Sequence, residues 1–184
     1  MPRTWQTDRL LLRQLGPAAA AVVRDYGLRS RESHAPWDPT RPHDYWELPV
    51  VAQRLYVQII EAEEGRSLCT YLSAKSAPDH VIGVLNLRNI TRGSLMSCVM
   101  GYGLAPEAVG SGFMTEAIDR MVSVGFDELG LHRLEINIVP RNVRSIAVAE
   151  RCGFRREGLS PRYLKIAGRW EDHVRYARLN EVEL

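Results

Sequence analysis

The stretch "GYGLAPEAVGSGFMTEAIDRMVSVGF", residues 101–126, sets Gly110 and Gly112 one residue apart, between an apolar segment and a helical pattern. The first turn of a helix carries backbone N–H groups without partners, and it is the positive end of the helix dipole. Two glycines in front of it remove the side chains that would hold an anion away from those amides. Phosphate is the anion that such a loop suits. An ordinary tight turn would read the same way. It is not a Walker loop, because no G-K-[ST] follows. It is not the dinucleotide fingerprint either, because the third glycine of G-x-G-x-x-G is missing.

Further along, "PRNVRS" places Asn142 where a helix would open, the position of a good N-cap, and Ser145 three residues on, in the first turn. In "HRLEINIV", strand alternation puts Glu135 and Asn137 on one face. Glu135 is either a base or a strand carboxylate paired with Arg133 or Arg144. Trp37, Tyr45 and Trp46 gather around a proline-rich loop, either as a wall for a ligand or as core. His173 in "WEDHV" reads better as a structural hydrogen-bonder than as a catalyst. Cys69, Cys98 and Cys152 lie far apart, with no C-x-x-C pair and no histidine at ligand spacing, so no metal is expected.

These residues need elements to carry them. "TDRLLLRQL" (7–15) reads as a first strand, and Pro17 opens a helix rich in Ala. Pro36, Pro39 and Pro42 mark a loop. Val51, Leu55 and Ile59, four apart, define an amphipathic helix that closes at Gly65. "SLCTYLSAK", "HVIGVLNLRNI" and "GSLMSCVMGYGLA" are strands. A helix over 113–129, a strand over 131–139 and a helix over 142–152 follow. The tail is two β-rich runs around Ala167 and Gly168. The order implies one α/β domain of three layers over residues 1–184.

Composition narrows the class. The chain has 184 residues, 45% hydrophobic and 25% charged, as in an ordinary globular protein. A net charge of +2 gives no argument for nucleic acid. The Lys residues are only Lys75 and Lys165, so the basic charge is nearly all Arg. There is no signal-type N-terminus and no apolar run of about 18 residues. A cytoplasmic location and no membrane are expected.

The segments "EAVGSG", "PRNVRS" and "AERCGF", in that order, resemble the Gcn5-related N-acetyltransferase (GNAT) superfamily, whose phosphate loop is Q/R-x-x-G-x-G/A. Glu107 departs from its first position. "SHAPWDP", "VIGVLNLRNITRGS" and "YLKIAGRWEDHV" are similar to ribosomal-protein-alanine N-acetyltransferases of the RimJ and RimL type, from Thr7 to Ala177. The resemblance implies a mixed, mostly antiparallel sheet flanked by helices and splayed between its fourth and fifth strands. It also implies acetyl-CoA as cosubstrate. The pyrophosphate would take the amides of Gly110, Ser111, Gly112, Phe113 and Met114. The pantetheine arm would lie along Tyr102, Gly103 and Leu104, with Gly101 and Gly103 as bulge residues, and Asn142 would touch the arm. Ser145 would assist the departing sulfur. Glu135 would be the base, and Trp37, Glu135 and Asn137 would meet the acceptor. The tyrosine acid of other members would fall near Ala149, and their tail acid at Arg162, so both are absent. The acceptor implied is a protein N-terminus, such as that of a ribosomal protein. A small-amine acetyltransferase and a CoA-binding, ribosome-associated module without efficient catalysis are the alternatives. The apolar tail strands suit a homodimer.

Overall fold

The computed structural model describes residues 2–181. Eight strands form one sheet: β1 Thr4–Gln6, β2 Leu10–Arg13, β3 Leu68–Ala74, β4 Val81–Thr91, β5 Ser97–Leu104, β6 Arg133–Ile138, β7 Arg155–Ile166 and β8 Arg169–Leu179. Their order across the sheet is β1-β2-β3-β4-β5-β6-β8-β7. Every neighbouring pair is antiparallel except β5 and β6. Four α-helices cover it: α1 Ala20–His34, α2 Leu48–Glu63, α3 Phe113–Ser123 and α4 Val143–Arg151.

The single strand expected over 7–15 is a hairpin, because the chain turns at Thr7 and pairs Gln6 with Leu11. The splay therefore falls between β5 and β6. Those two strands pair only from Ser97↔Arg133 to Val99↔Glu135 and then part. The helix expected over 113–129 is α3 followed by a π-helical turn over Val124–Glu128. Helix α1 extends into the expected proline loop and ends at His34, two residues before Pro36, which has no N–H to continue the ladder. Gly101 and Gly103 form no bulge: β4 and β5 keep regular register from Gly83↔Leu104 to Arg88↔Val99. The irregularity lies beyond it, between Arg88 and Thr91, where Asn89 takes a φ of 52°.

Alternation sorts the side chains onto two faces. Leu85, Leu87, Met100, Leu134 and Ile136 point to α3 and α4 and join Ile118 and Met121 in the larger core. Cys69, Tyr71 and Val84 point to α1 and α2, against Val23, Val51 and Leu55. Leu55 is fully buried, and burial of this kind is worth about 1.5–3 kcal/mol per side chain. The tail hairpin turns at Ala167 and Gly168, both with positive φ, as a two-residue hairpin turn requires. Ala167 N–H donates to Asp38 O at 2.9 Å, which ties that turn to the loop between α1 and α2. No helix among the described residues is long and apolar enough to cross a membrane.

Candidate active site

The glycine loop comes first. Gly110 has φ 88° and Gly112 φ 76°, the left-handed region in which a side chain is strained. Gly112 is the N-cap of α3 and brings no side-chain cap. The first rung of the helix is Glu116 N–H to Gly112 O at 3.2 Å, so the amides of Phe113 and Met114 precede the ladder. Met114 is buried in the larger core and anchors the turn from below. A Cβ on Gly110 would meet nothing within 4 Å, so space is open over the loop. Bare amides, positive φ and open space fit a phosphate.

Arg9 completes the loop, and no local motif could have pointed to it from 102 residues away. Its Nη1 donates to Ser111 O at 3.0 Å, its Nε donates to Glu116 Oε2 at 2.7 Å, and its guanidinium covers the Phe113 ring at 4.7 Å. Burial would raise the Glu116 carboxyl, but hydrogen bonds from Thr7 and Arg9 outweigh it and hold the group below its usual range. Glu107, the residue that departs from the family loop pattern, is paired with Arg29. Arg29 also donates to Val81 O at 2.8 Å, so this carboxylate is neutralised while it ties α1 to the sheet.

Next comes the cleft beyond Val99. Ala105 N–H donates to Ile82 O at 2.8 Å. Strand alternation then turns the N–H and C=O groups of Met100, Tyr102 and Leu104 toward the gap with β6. Helix α1 presses on the same strand end: Tyr26 Oη donates to Gly103 O at 3.2 Å, and His34 Nε2 lies 2.8 Å from Leu104 O. A Cβ on Gly103 would come within 2.9 Å of the His34 ring, and one on Gly101 within 2.9 Å of Asn86 Oδ1. These close approaches, not a bulge, are why both residues are glycine. An extended amide chain could pair with the edge of β5 at Met100 and Tyr102 as a strand would.

On the α4 side, Asn142 caps the helix as expected, its Oδ1 accepting from Ser145 N–H at 3.2 Å. Ser145 Oγ lies 2.9 Å from Tyr102 Oη, which also lies 3.1 Å from Ser145 O. The side chain of Tyr102 thus reaches α4, a contact the sequence reading did not anticipate. Burial pushes the phenol up to about 12, so it stays protonated and can donate. A phenol has one hydrogen: when Oη donates it to the Ser145 carbonyl, Oγ donates to Oη, and when Oη turns to Oγ instead, the Ser145 hydroxyl hydrogen is free for another acceptor. Ala149, where other superfamily members would carry a tyrosine acid, is fully buried.

On the opposite face, Glu135 accepts from Arg133 Nε at 2.7 Å and from Arg175 Nη2 at 2.6 Å. Burial would raise its carboxyl, but the two guanidiniums overcome that and lower it. This is the pairing alternative for Glu135, with Arg175 in place of Arg144. Asn137 shares that face and has a buried Oδ1 with no partner among the described residues. Trp37 lies apart, under the Arg141 guanidinium at 5.3 Å. Tyr45 and Trp46 do line a cavity of about 900 Å³ between α1, α2 and the sheet, together with Asn86, Arg88 and Ala167. His173 is buried, its Nδ1 3.0 Å from Glu171 O, and burial lowers its pKa, as suits a structural group. All three cysteines are free and buried, and no cluster among the described residues could hold a metal.

A splayed sheet with an open glycine loop at the start of the following helix is the frame of an acyl-CoA-binding transferase, and the comparisons agree. The acetyltransferase (GNAT) domain model matches residues 9–155, and the chain belongs to that family. It is an N-acetyltransferase that uses acetyl-CoA. Its sequence is 32% identical over 168 residues to the [ribosomal protein uS5]-alanine N-acetyltransferase of Escherichia coli, covering 91% of this chain and 86% of that one. Its fold is similar to the ribosomal-protein-S5-alanine acetyltransferase of Vibrio fischeri, with a TM-score of 0.92, 28% identity and 97% of each chain covered. It is also similar to Mycobacterium smegmatis RimJ in complex with CoA-disulfide, with a TM-score of 0.87, 30% identity, and 94% and 83% of the two chains covered.

Proposed function

We propose that this enzyme acetylates the N-terminal α-amine of a protein whose first residue is small, such as Ala or Ser. The observation that carries the reading is the state of Glu135: the carboxylate beside the splay is held by two guanidiniums and is a weak base. An α-amine with a pKa of about 8 is about one-tenth neutral at pH 7, whereas a lysine amine at about 10.4 is neutral in fewer than about one molecule in a thousand and needs a stronger base. A site so equipped suits the acceptor that needs least help. The resemblance to ribosomal-protein-alanine acetyltransferases points the same way.

Acetyl-CoA supplies an acyl group activated by a thiolate leaving group with a pKa of about 8.5. In our reading the amides of Gly110, Ser111, Gly112, Phe113 and Met114 bind the pyrophosphate. The edge of β5 at Tyr102, Gly103 and Leu104 holds the pantetheine arm, with Asn142 beside it. Ser145 Oγ–H donates a hydrogen bond to the departing sulfur, kept in place by Tyr102 Oη, and the CoA thiolate leaves as such or takes its proton from water. The amine proton leaves to water, and Glu135 takes it only through a relay. Trp37 would act on the acceptor only at the outer rim, since it stands outside the cavity lining. We place the activity in the cytoplasm, with residues 1–184 acting as one unit. A homodimer would use the β7–β8 hairpin, where Leu159, Leu164 and Trp170 are exposed.

The test is mass spectrometry on peptides with one free amine each, terminal or lysine. Acetylation of the terminal amine of Ala- or Ser-initiated peptides is expected. Preference for the lysine peptides, or turnover of small amines with neither peptide accepted, would overturn it.

A further inference from the structure

The cavity of about 900 Å³ is walled by β4 at Val84 and Arg88 on one side and by the β7–β8 turn at Ala167 on the other. In the sheet order those two elements stand on opposite sides of the gap between β5 and β6, so the cavity lies across the splay. Its inner wall touches the strand end beside that gap. Tyr26 Oη donates to Gly103 O, and His34 Nε2 lies 2.8 Å from Leu104 O. A molecule seated in the cavity therefore has one end beside the β5 segment that our reading gives to the pantetheine arm.

Charge sets this cavity apart. Arg24, Arg31, Arg41, Arg54 and Arg88 line it, against the carboxylates of Asp38 and Glu47 only. The whole chain carries a net charge of +2, so an excess of three cations in one cavity is more than the protein has overall. The fixed arginines are held mainly by neutral groups. Arg24 Nε donates to Trp46 O at 2.8 Å, and Arg54 Nη1 donates to Tyr45 O at 3.1 Å. The Tyr45 ring carries the guanidiniums of Arg41 and Arg54 at 4.7 and 4.1 Å. Arg41 also reaches Asp38 at 3.1 Å. The guanidiniums of Arg31 and Arg88 make no hydrogen bond or ion pair among the described residues. Elsewhere the pattern differs: Arg9, Arg29, Arg133 and Arg175 each hold a carboxylate. The cavity thus gathers cations that the protein itself does not neutralise. A guanidinium stays charged and its planar fork matches a carboxylate. A concave wall of one sign concentrates its field on whatever enters.

We infer that the cavity receives acidic side chains of the acceptor, so that the substrate is a protein with Asp or Glu a few residues behind its terminal amine. This rests on the α-amine reading above and narrows it. With the amine beside Gly103, an extended chain advances about 3.3 Å per residue and carries its next side chains through the cavity. A smaller cavity of about 540 Å³ shares Arg54 and Arg88 and continues the path between α2 and β4. Because Arg24 and Arg54 are already held by backbone carbonyls, little side-chain freedom is lost when a carboxylate arrives. The same charge turns away polycations such as polyamines.

The experiment is calorimetric titration of Ala-initiated pentapeptides that differ only at their third and fourth residues, Glu-Glu, Gln-Gln or Lys-Lys, into the enzyme saturated with CoA. The wild type should bind the Glu peptide at least tenfold more tightly than the Gln peptide, equivalent to about 1.4 kcal/mol, and the Lys peptide more weakly than either. Arg54→Gln and Arg88→Gln should each shrink the Glu-over-Gln ratio about threefold, with the Gln peptide and acetyl-CoA bound as before. Spermidine should not displace the Glu peptide. A wild-type ratio near one, a preference for Lys, a ratio undiminished in both variants, or competition by spermidine overturns the assignment. Arg88 is exposed, so Arg88→Gln decides if Arg54→Gln fails to fold. Mass spectrometry on the same peptides separates the two readings. If the Glu peptide binds best but its amine is not acetylated, the α-amine reading falls and the acidic-acceptor assignment stands. If all three peptides are acetylated and bound alike, the assignment falls and the α-amine reading stands.

Discussion

Replacing Gly112 by Ala separates the two jobs of that residue. Its φ of 76° costs an L-residue about 1–2 kcal/mol. The added Cβ would lie 3.4 Å from Arg9 Nη2, an ordinary contact with the end of a flexible side chain, so no clash adds to the strain. For a chain of this size the melting temperature should fall by about 2–8 °C. Binding should suffer separately, because the methyl group sits on the turn through which pyrophosphate reaches the first amides of α3. We expect acetyl-CoA affinity to fall at least tenfold, about 1.4 kcal/mol, and further for Val. Gly130→Ala is the control. It has φ 62° and nothing within 4 Å of its Cβ, and it lies past the other end of that helix. It should lose comparable stability and keep its affinity. Differential scanning calorimetry and isothermal titration read the two effects. A Gly112→Ala protein that melts lower but binds acetyl-CoA as tightly as the wild type would refute the placement.

Ser145→Ala should lower kcat about tenfold with little change in acetyl-CoA affinity, and Tyr102→Phe should lower it less, both read by thiol release under saturating peptide. Equal kcat in Ser145→Ala and wild type would make the hydroxyl a surface group. Glu135→Gln should keep partial activity on an Ala-initiated peptide, since water can take the proton; complete loss would restore Glu135 as the base. Glu135 also gives a pH signature. Its folded pKa lies below 4.5, so its contribution to stability is full above pH 4.5 and is lost as pH falls through the folded value. The acid limb of a urea-denaturation series should be shallower in Glu135→Gln. The folded pKa of His173 lies below 6.5, so its contribution is present above pH 6.5 and is lost as the pH drops through the folded value. His173→Gln should flatten that part of the curve.

Local order carried much of this protein. The glycine pair before a helical pattern, the Asn142 cap, the alternation that puts Glu135 and Asn137 on one face, and the turn at Ala167 and Gly168 all depend on residues a few positions apart. Backbone conformation at such sites is set by neighbours, so a linear reading reaches them. The hairpin of β1 with β2 escaped, because a three-residue edge strand has too few positions to show a period. Gly101 and Gly103 were legible as special but not for the right reason. Whether a missing side chain makes a bulge or admits Asn86 and His34 depends on partners 15 and more residues away. The same limit hid Arg9 on the glycine loop, Arg29 on Glu107 and Tyr102 on Ser145. It also hid the state of Glu135: its position was readable, but its acidity depends on Arg175, 40 residues on, which only the pairing of β6 with β8 brings alongside. Sequence alone determined which backbone groups would be bare and which side chains would share a face. Tertiary structure decided which charges are satisfied and which buried polar atoms are left unpaired, because Coulomb and hydrogen-bond energies depend on distance in space and not along the chain.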